Sequence, residues 1–361
     1  MKIATLAACA LAACSADALA QSNVIMYGVI DMAVQSGRTG GATTNRIDSS
    51  SVAPTRFGFQ GAEDLGGGTQ AIFRLESGFY ADTGVLGNGG ALFGREAWVG
   101  LKGGFGQVQA GVNYTPLFLS YVSYSLGELN TLGWGNATNN FVFVPAALAS
   151  NSIRYTSPTY AGLTLRAFYS AGTENAAGQP KDLGKSSALG LNYKRGQFSI
   201  DGDYLQQDYV SAATLSANEL ARTGRYWLLG ASYDFGVVKP AFIYQTHHGA
   251  ADVAAANRTT FANPDNRFYE LNALVHVTPF GTVLVSYGQY KQLATSSGDA
   301  RSYALRYDYR LSKRSGVYAG VTRVANNSTA SFTANPANGP GMPVSAGQSI
   351  NAVILGIVHR F

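Results

Sequence analysis

Arg56 and Arg95 each stand seven residues before a short turn, those beginning at Glu63 and Lys102, and Arg74 stands seven after the turn ending at Gly67. Arg154 and Arg166 flank a further short turn, Pro158 to Ala161, four residues before it and five after. A guanidinium group keeps its charge at physiological pH and offers only N–H donors. A set of them at matched spacing is therefore suited to attracting anions, not to moving protons or breaking bonds. The one acid between Gly103 and Ile153 is Glu128.

Other chemistry is thinly represented. His247, His248, His276 and His359 are scattered and suggest no metal site. Gly66-Gly67-Gly68 falls between strands and lacks the helix that a phosphate-binding loop requires. No serine is placed with a histidine and an acid in a way that suggests a triad, so neither an enzyme nor a cofactor is expected.

The elements that must carry the arginines show a two-residue period. Leu163, Leu165, Ala167 and Tyr169 alternate with Thr164, Arg166, Phe168 and Ser170, and Tyr303, Leu305, Tyr307 and Tyr309 alternate with Ser302, Ala304, Arg306, Asp308 and Arg310. The final run is similar: Val353, Leu355, Ile357, His359 and Phe361 share one face. The pattern predicts strands near 24–34, 55–62, 68–78, 92–101, 105–113, 150–157, 162–171 and 186–194, and again near 197–208, 223–235, 238–248, 267–278, 281–292, 299–311, 315–325 and 349–361.

These sixteen strands are joined by connections that alternate in length. Short ones such as Arg195-Gly196 and Pro279-Phe280 alternate with long ones such as Gln35 to Pro54, Ala251 to Asn266 and Ala325 to Ser349. An even strand number with all long loops at one end predicts an all-β fold, a 16-stranded antiparallel transmembrane β-barrel. Closure removes the edges that hydrocarbon cannot satisfy. An arginine on the lipid face at mid-membrane costs roughly 2–4 kcal/mol, so the charged face must be the lumen. With a rise of about 3.3 Å per residue and a tilt near 40°, seven residues climb roughly 17 Å, which puts Arg56, Arg74 and Arg95 at one level near mid-membrane.

Composition agrees with a thin sheet between lipid and water. The 361 residues include 43 glycines, 21 tyrosines and 18 phenylalanines, with only 13% charged, and no apolar run is long enough for a membrane helix. The formal charge of +5 is spread singly rather than in blocks, which argues against nucleic acid. Lys2, the apolar stretch Ile3 to Ala13 and Ala18-Leu19-Ala20 predict a signal peptide over 1–20, leaving 21–361 as the barrel. Leu11-Ala12-Ala13-Cys14 offers a competing lipoprotein reading. Cys9 and Cys14 both lie in the leader, so no disulfide or cysteine-bound metal is expected in the remainder.

The long third connection, Tyr114 to Ala149, carries Leu117, Phe118, Leu119, Tyr121, Tyr124, Leu126, Trp134, Phe141 and Phe143. So apolar a loop is expected to fold into the barrel and narrow it, since outside it would expose a large sticky patch. An outer cap, or a surface at the centre of an oligomer, is the alternative.

Several segments resemble the general diffusion porins of the β-proteobacterial outer membrane, of the Neisseria, Bordetella and Burkholderia type. They are Val24-Ile25-Met26-Tyr27-Gly28-Val29-Ile30-Asp31, Thr55-Arg56-Phe57-Gly58-Phe59 with Glu63-Asp64-Leu65-Gly66-Gly67-Gly68, Phe93-Gly94-Arg95-Glu96-Ala97-Trp98, Asn151-Ser152-Ile153-Arg154-Tyr155 and His359-Arg360-Phe361. The resemblance implies a homotrimer of barrels, an in-folded third outer loop over 114–149, and a terminal phenylalanine, here Phe361, read by the outer-membrane assembly machinery. It supports Arg56, Arg95 and Arg154 as the basic cluster of the constriction facing an acid of the loop, for which Glu128 is the candidate. Arg74 and Arg166 rest on facing and height alone. One departure is local: Val112 and Asn113 stand where the family often has arginine and glutamine.

The expected function is passive diffusion of small hydrophilic solutes and ions with a mild preference for small anions, in contact with outer-membrane lipid and lipopolysaccharide. A substrate-selective porin, and an adhesin or structural barrel with a closed lumen, are the alternatives. Asp31, Asp201, Asp203, Glu270 and Asp308 fall on lumen-compatible faces and are expected to offset part of the basic field.

Overall fold

The computed structural model describes residues 23–126, 147–172, 174, 184–209, 222–249, 265–334 and 341–361. The proposed leader, 1–20, lies outside them. The first strands are β1 (Asn23–Thr39), β2 (Ala42–Ser49), β3 (Arg56–Gly66), β4 (Thr69–Gly78), β5 (Glu96–Gly103), β6 (Gly106–Tyr114), β7 (Leu148–Thr156), β8 (Leu163–Ala171) and β9 (Lys185–Arg195). They are followed by β10 (Phe198–Tyr209), β11 (Arg222–Tyr233), β12 (Val238–Gly249), β13 (Asn266–His276), β14 (Gly281–Gln292), β15 (Ala300–Arg310), β16 (Ser315–Asn326) and β17 (Ile350–Arg360).

Each strand from β3 onward pairs antiparallel with the next, and β1 pairs with β17 from Val29↔Arg360 to Thr39↔Ile350, so the sheet closes on itself. The seventeen strands make sixteen staves, because β2 and β3 are the two halves of one. β1 pairs with β3 over Asn23–Val29 and with β2 over Met32–Thr39.

This corrects the expected long loop from Gln35 to Pro54. β1 continues to Thr39, turns through Gly40 and Gly41 at φ 53° and 86°, and returns as β2. Two successive positive φ angles suit a two-residue hairpin and favour glycine at both places. The polar sequence of this hairpin masked its alternation. The remaining six residues, Ser50 to Thr55, leave the sheet and are buried in the lumen.

A non-strand segment inside a barrel must find partners for its amides. Asp31 supplies them: Oδ2 accepts from Val52 N at 2.5 Å and Ala53 N at 2.7 Å, and Oδ1 accepts from Tyr318 Oη at 2.5 Å. Thr55 N donates to Ser50 Oγ at 2.9 Å, and Gln35 Nε2 donates to Ser51 Oγ at 2.9 Å. Val52 and Ala53 pack with Val29, Ala33, Tyr318, Ile354 and Val358.

Facing follows the alternation. Leu163, Leu165, Tyr169, Tyr303, Leu305, Tyr307 and Tyr309 are exposed on the outside, whereas Phe168, Ser170, Ser302, Ala304 and Arg306 are buried on the inside. The outer face carries cross-strand aromatic pairs, including Tyr204 with Trp227 at 4.5 Å and Tyr287 with Tyr303 at 5.3 Å. Such pairs add roughly 0.2–1 kcal/mol each to the sheet.

Candidate functional site

The lumen face of β3 to β8 carries all five arginines. Arg56 Nε lies 3.4 Å from Glu76 Oε2 and Arg95 Nε lies 2.7 Å from Glu76 Oε1, so one buried carboxylate joins two guanidinium groups. Tyr27 Oη donates to the same carboxylate at 2.9 Å. Arg74 Nη1 reaches Glu96 Oε2 at 2.9 Å and Nη2 reaches Gln60 Oε1 at 2.9 Å, with Tyr27 and Trp98 rings each 5.9 Å from its guanidinium carbon. Arg154 Nε and Nη2 donate to Gln109 Oε1 at 3.0 and 2.6 Å and Nη1 donates to Tyr114 O at 3.1 Å. Arg166 Nη1 donates to Asp201 Oδ1 at 3.1 Å and to Ser120 Oγ at 3.3 Å.

The single level expected for Arg56, Arg74 and Arg95 becomes two tiers. Arg56 pairs across the sheet with Gly78, whereas Arg74 pairs with Gln60, four residues or about 13 Å nearer the short-turn end. The cause is the turn. Glu63 and Asp64 keep pairing with Ala71 and Gln70, so reversal waits for Gly66, Gly67 and Gly68, all at positive φ. Arg95 corrects another expectation: β5 begins at Glu96, not near residue 92. Lying just before the strand, Arg95 escapes its alternation and reaches the lumen together with its neighbour Glu96, whose carboxylate is buried there.

Opposite this wall the third outer connection enters the lumen as α1 (Pro116–Tyr124). Thr115 caps it, accepting from Phe118 N at 3.3 Å, and Pro116 occupies its first turn, where no intrahelical N–H is needed. The helix packs against β8 to β12 and buries Leu117, Tyr121 and Tyr124. Tyr124 Oη bonds Asp201, with Ser199 Oγ at 2.9 Å. Beyond the helix, Ser125 Oγ donates to Glu270 Oε1 at 2.8 Å, and Asn272 Nδ2 donates to Tyr124 O at 3.1 Å. Burial pushes the phenol pKa of both Tyr121 and Tyr124 upward, so both hydroxyls stay protonated and available as donors.

The in-folded reading of the loop therefore holds for its described part. Glu128, the proposed counter-charge, lies outside the described residues. The acids expected on lumen faces divide by partner: Asp201 holds Arg166 and Tyr124, Glu270 holds the loop, Asp31 holds the Ser50–Thr55 segment and Asp308 holds Arg306 through two bonds of 2.7 and 2.8 Å. Asp203 is buried beneath Pro116, where Gly190 leaves room for both. Asn113, at the local departure, ties β6 to β7 through Ser152 Oγ at 3.1 Å.

Sequence reasoning missed Glu96, Gln109 and Gln60 as arginine partners, and missed the Asp31 anchor. The even parity shared by Gln60, Arg74, Glu76 and Glu96 was the signal that groups them on one face. Among the described residues no set of three or more histidine, cysteine, aspartate or glutamate side chains is placed to hold a metal ion.

Residues 4–329 match the family model described as Gram-negative porin. The outer membrane porin protein 32 of Delftia acidovorans is 29% identical over 99% of this chain and 99% of its own length. The major outer membrane protein P.IB of Neisseria lactamica is 28% identical over 90% of this chain and 94% of its own. Among solved structures, the anion-selective porin from Comamonas acidovorans superposes with a TM-score of 0.77 at 28% identity, covering 94% of this chain and 100% of that one.

Proposed function

The chain belongs to the Gram-negative porin family and is an outer-membrane channel for passive diffusion, and we propose that Arg56, Arg74, Arg95, Arg154 and Arg166 form its constriction and give it a mild preference for small anions. The observation that carries this reading is the imbalance of the wall: among the described residues, five guanidinium groups share three partner carboxylates, Glu76, Glu96 and Asp201. Among the described residues, the acceptors of Arg154 are the neutral oxygens of Gln109 and Tyr114.

Across a narrow aqueous gap such a surplus sets a potential that concentrates anions. The described part of the third loop, folded inward as α1, supplies the opposite jaw, and Glu128 is its proposed acid. A homologous structure bearing the description anion-selective supports the sign. Family members are transport channels, so turnover and cofactors are not part of the mechanism. Solutes move down their gradients through water, and size and charge are sorted where α1 faces the arginines.

The same reading extends to biogenesis and assembly. Residues 1–20 serve as the signal peptide, Phe361 is the mark read by the assembly machinery, and the barrel works as a homotrimer among lipid and lipopolysaccharide. The short-turn end faces the periplasm and the long-loop end faces outward.

Arg95→Gln and Arg154→Gln test the constriction through the zero-current potential across a salt gradient. The anion-to-cation permeability ratio is expected to fall roughly twofold or more. An unchanged potential in both variants overturns the assignment.

A further inference from the structure

A second concentration of positive charge lies away from the constriction. At the short-turn end of the lumen a cavity of about 440 Å³ is bounded by the ends of β15, β16 and β17, the turn after β13 and, from within the barrel, Val52 and Ala53. Among the described residues, its lining carries Arg306, Arg310, Lys313, Arg314 and Arg360, with His276 beside them and Asp308 as the acid. Asp308 is committed to Arg306 through two bonds. Asp31, on the other side of Tyr318, is committed to that hydroxyl and to the amides of Val52 and Ala53.

The arrangement is held in place from several sides. Arg310 Nη2 donates to Pro279 O at 2.9 Å and its guanidinium lies over Phe280 at 5.6 Å, which fixes the group at the rim. The Ser312 hydroxyl accepts from Arg314 N at 3.1 Å and Ser315 N at 3.0 Å, shaping the turn that carries Lys313 and Arg314. The short-turn end of β3 carries Glu63 and Asp64, so the same rim is acidic at one place and basic at another.

We propose that this cavity is a separate binding station for small multivalent oxyanions at the periplasmic mouth of the pore, distinct from the arginines of the constriction. Several cations around one recess bind a divalent anion better than a monovalent one, because the attraction scales with ligand charge. At about 30 Å³ per water the recess holds a phosphate-sized anion with part of its hydration shell. The Ser50–Thr55 segment forms its inner wall, so an anion leaving the constriction is retained before release. The proposal requires an open channel but not the constriction assignment.

The test uses the full barrel as single channels in phosphatidylcholine bilayers, carrying chloride current, with inorganic phosphate added to each chamber in turn. Phosphate is expected to block at a several-fold lower concentration from one chamber than from the other. The Lys313→Gln/Arg314→Gln double variant, changed only in an exposed turn outside the sheet, is expected to lose that difference. Arg95→Gln is expected to keep it, and methanesulfonate, a monovalent anion, is expected to show none in the unaltered channel. Equal block from both chambers, a difference that survives the double variant, a difference lost in Arg95→Gln, or an equal difference with methanesulfonate each overturns the proposal.

Discussion

Tyr124 fills the space that a side chain at Gly230 would take: a Cβ there would stand 2.2 Å from Tyr124 Cδ2. The obstacle is a ring whose hydroxyl is tied to Asp201 and Ser199. Gly230→Ala must therefore push α1 away from the β11 wall and into the aqueous gap, at a cost of about 1–3 kcal/mol. Single-channel conductance is expected to fall while the barrel stays heat-resistant on gels. Tyr124→Phe keeps the ring in its slot and should leave conductance closer to the unaltered value. Equal conductance in Gly230→Ala and the unaltered channel contradicts the packing argument.

Asp31→Ala removes the acceptor of three donors, two of them backbone amides of a segment that has left the sheet. Leaving buried donors unmatched costs about 1–3 kcal/mol each, offset in part by water entering the lumen. The Ser50–Thr55 segment is expected to lose its fixed position, raising conductance and lowering the denaturant midpoint in detergent. A variant with a lowered midpoint but unaltered conductance would mean that the segment does not narrow the path.

Glu76→Gln is expected to act in the opposite sense to the arginine substitutions. Glu76 joins Arg56 and Arg95, so neutralising it uncovers positive charge on the wall. The zero-current potential in a salt gradient should move further toward the anion limit. Removing one partner of a buried ionic cluster costs about 3–5 kcal/mol, and thermal unfolding should register it.

Phe361→Ala separates folded-state stability from biogenesis. Phe361 N donates to Gly28 O at 3.1 Å and Gly28 N donates to Phe361 O at 3.0 Å, bonds that alanine can reproduce. The ring rests over Gly28 and is 41% exposed, so its loss should cost only about 1–2 kcal/mol in detergent. The amount of barrel in the outer membrane should nevertheless drop several-fold, measured by fractionation. Normal membrane levels would remove Phe361 from the assembly role.

The staves were legible because lipid on one side and water on the other impose a two-residue period wherever the chain crosses. Arg166 and Arg306 were assigned to the lumen on that ground, and their buried or half-buried positions agree. The period failed where one environment lay on both sides. β2 stands among polar neighbours, so Thr43, Asn45 and Arg46 read as loop. Arg95 sits one residue ahead of its strand, and its direction came from Glu76 rather than from parity. Helix α1 had a readable start in Thr115-Pro116, but its apolar residues were grouped as a loop that must be buried. Only the tertiary structure shows that Tyr121 and Tyr124 serve as anchors through their hydroxyls.

The pairing of β1 with β17 also sets a timetable. Residues 29–39 have their barrel partner in residues 350–360, more than three hundred positions later, so the ring has no way to shut until that strand has been made and delivered. Until then two open flanks with unmatched amides travel together and invite aggregation. Contacts this distant in sequence form slowly, so whatever shortens the life of the two bare flanks before the seam zips raises the yield of closed barrel.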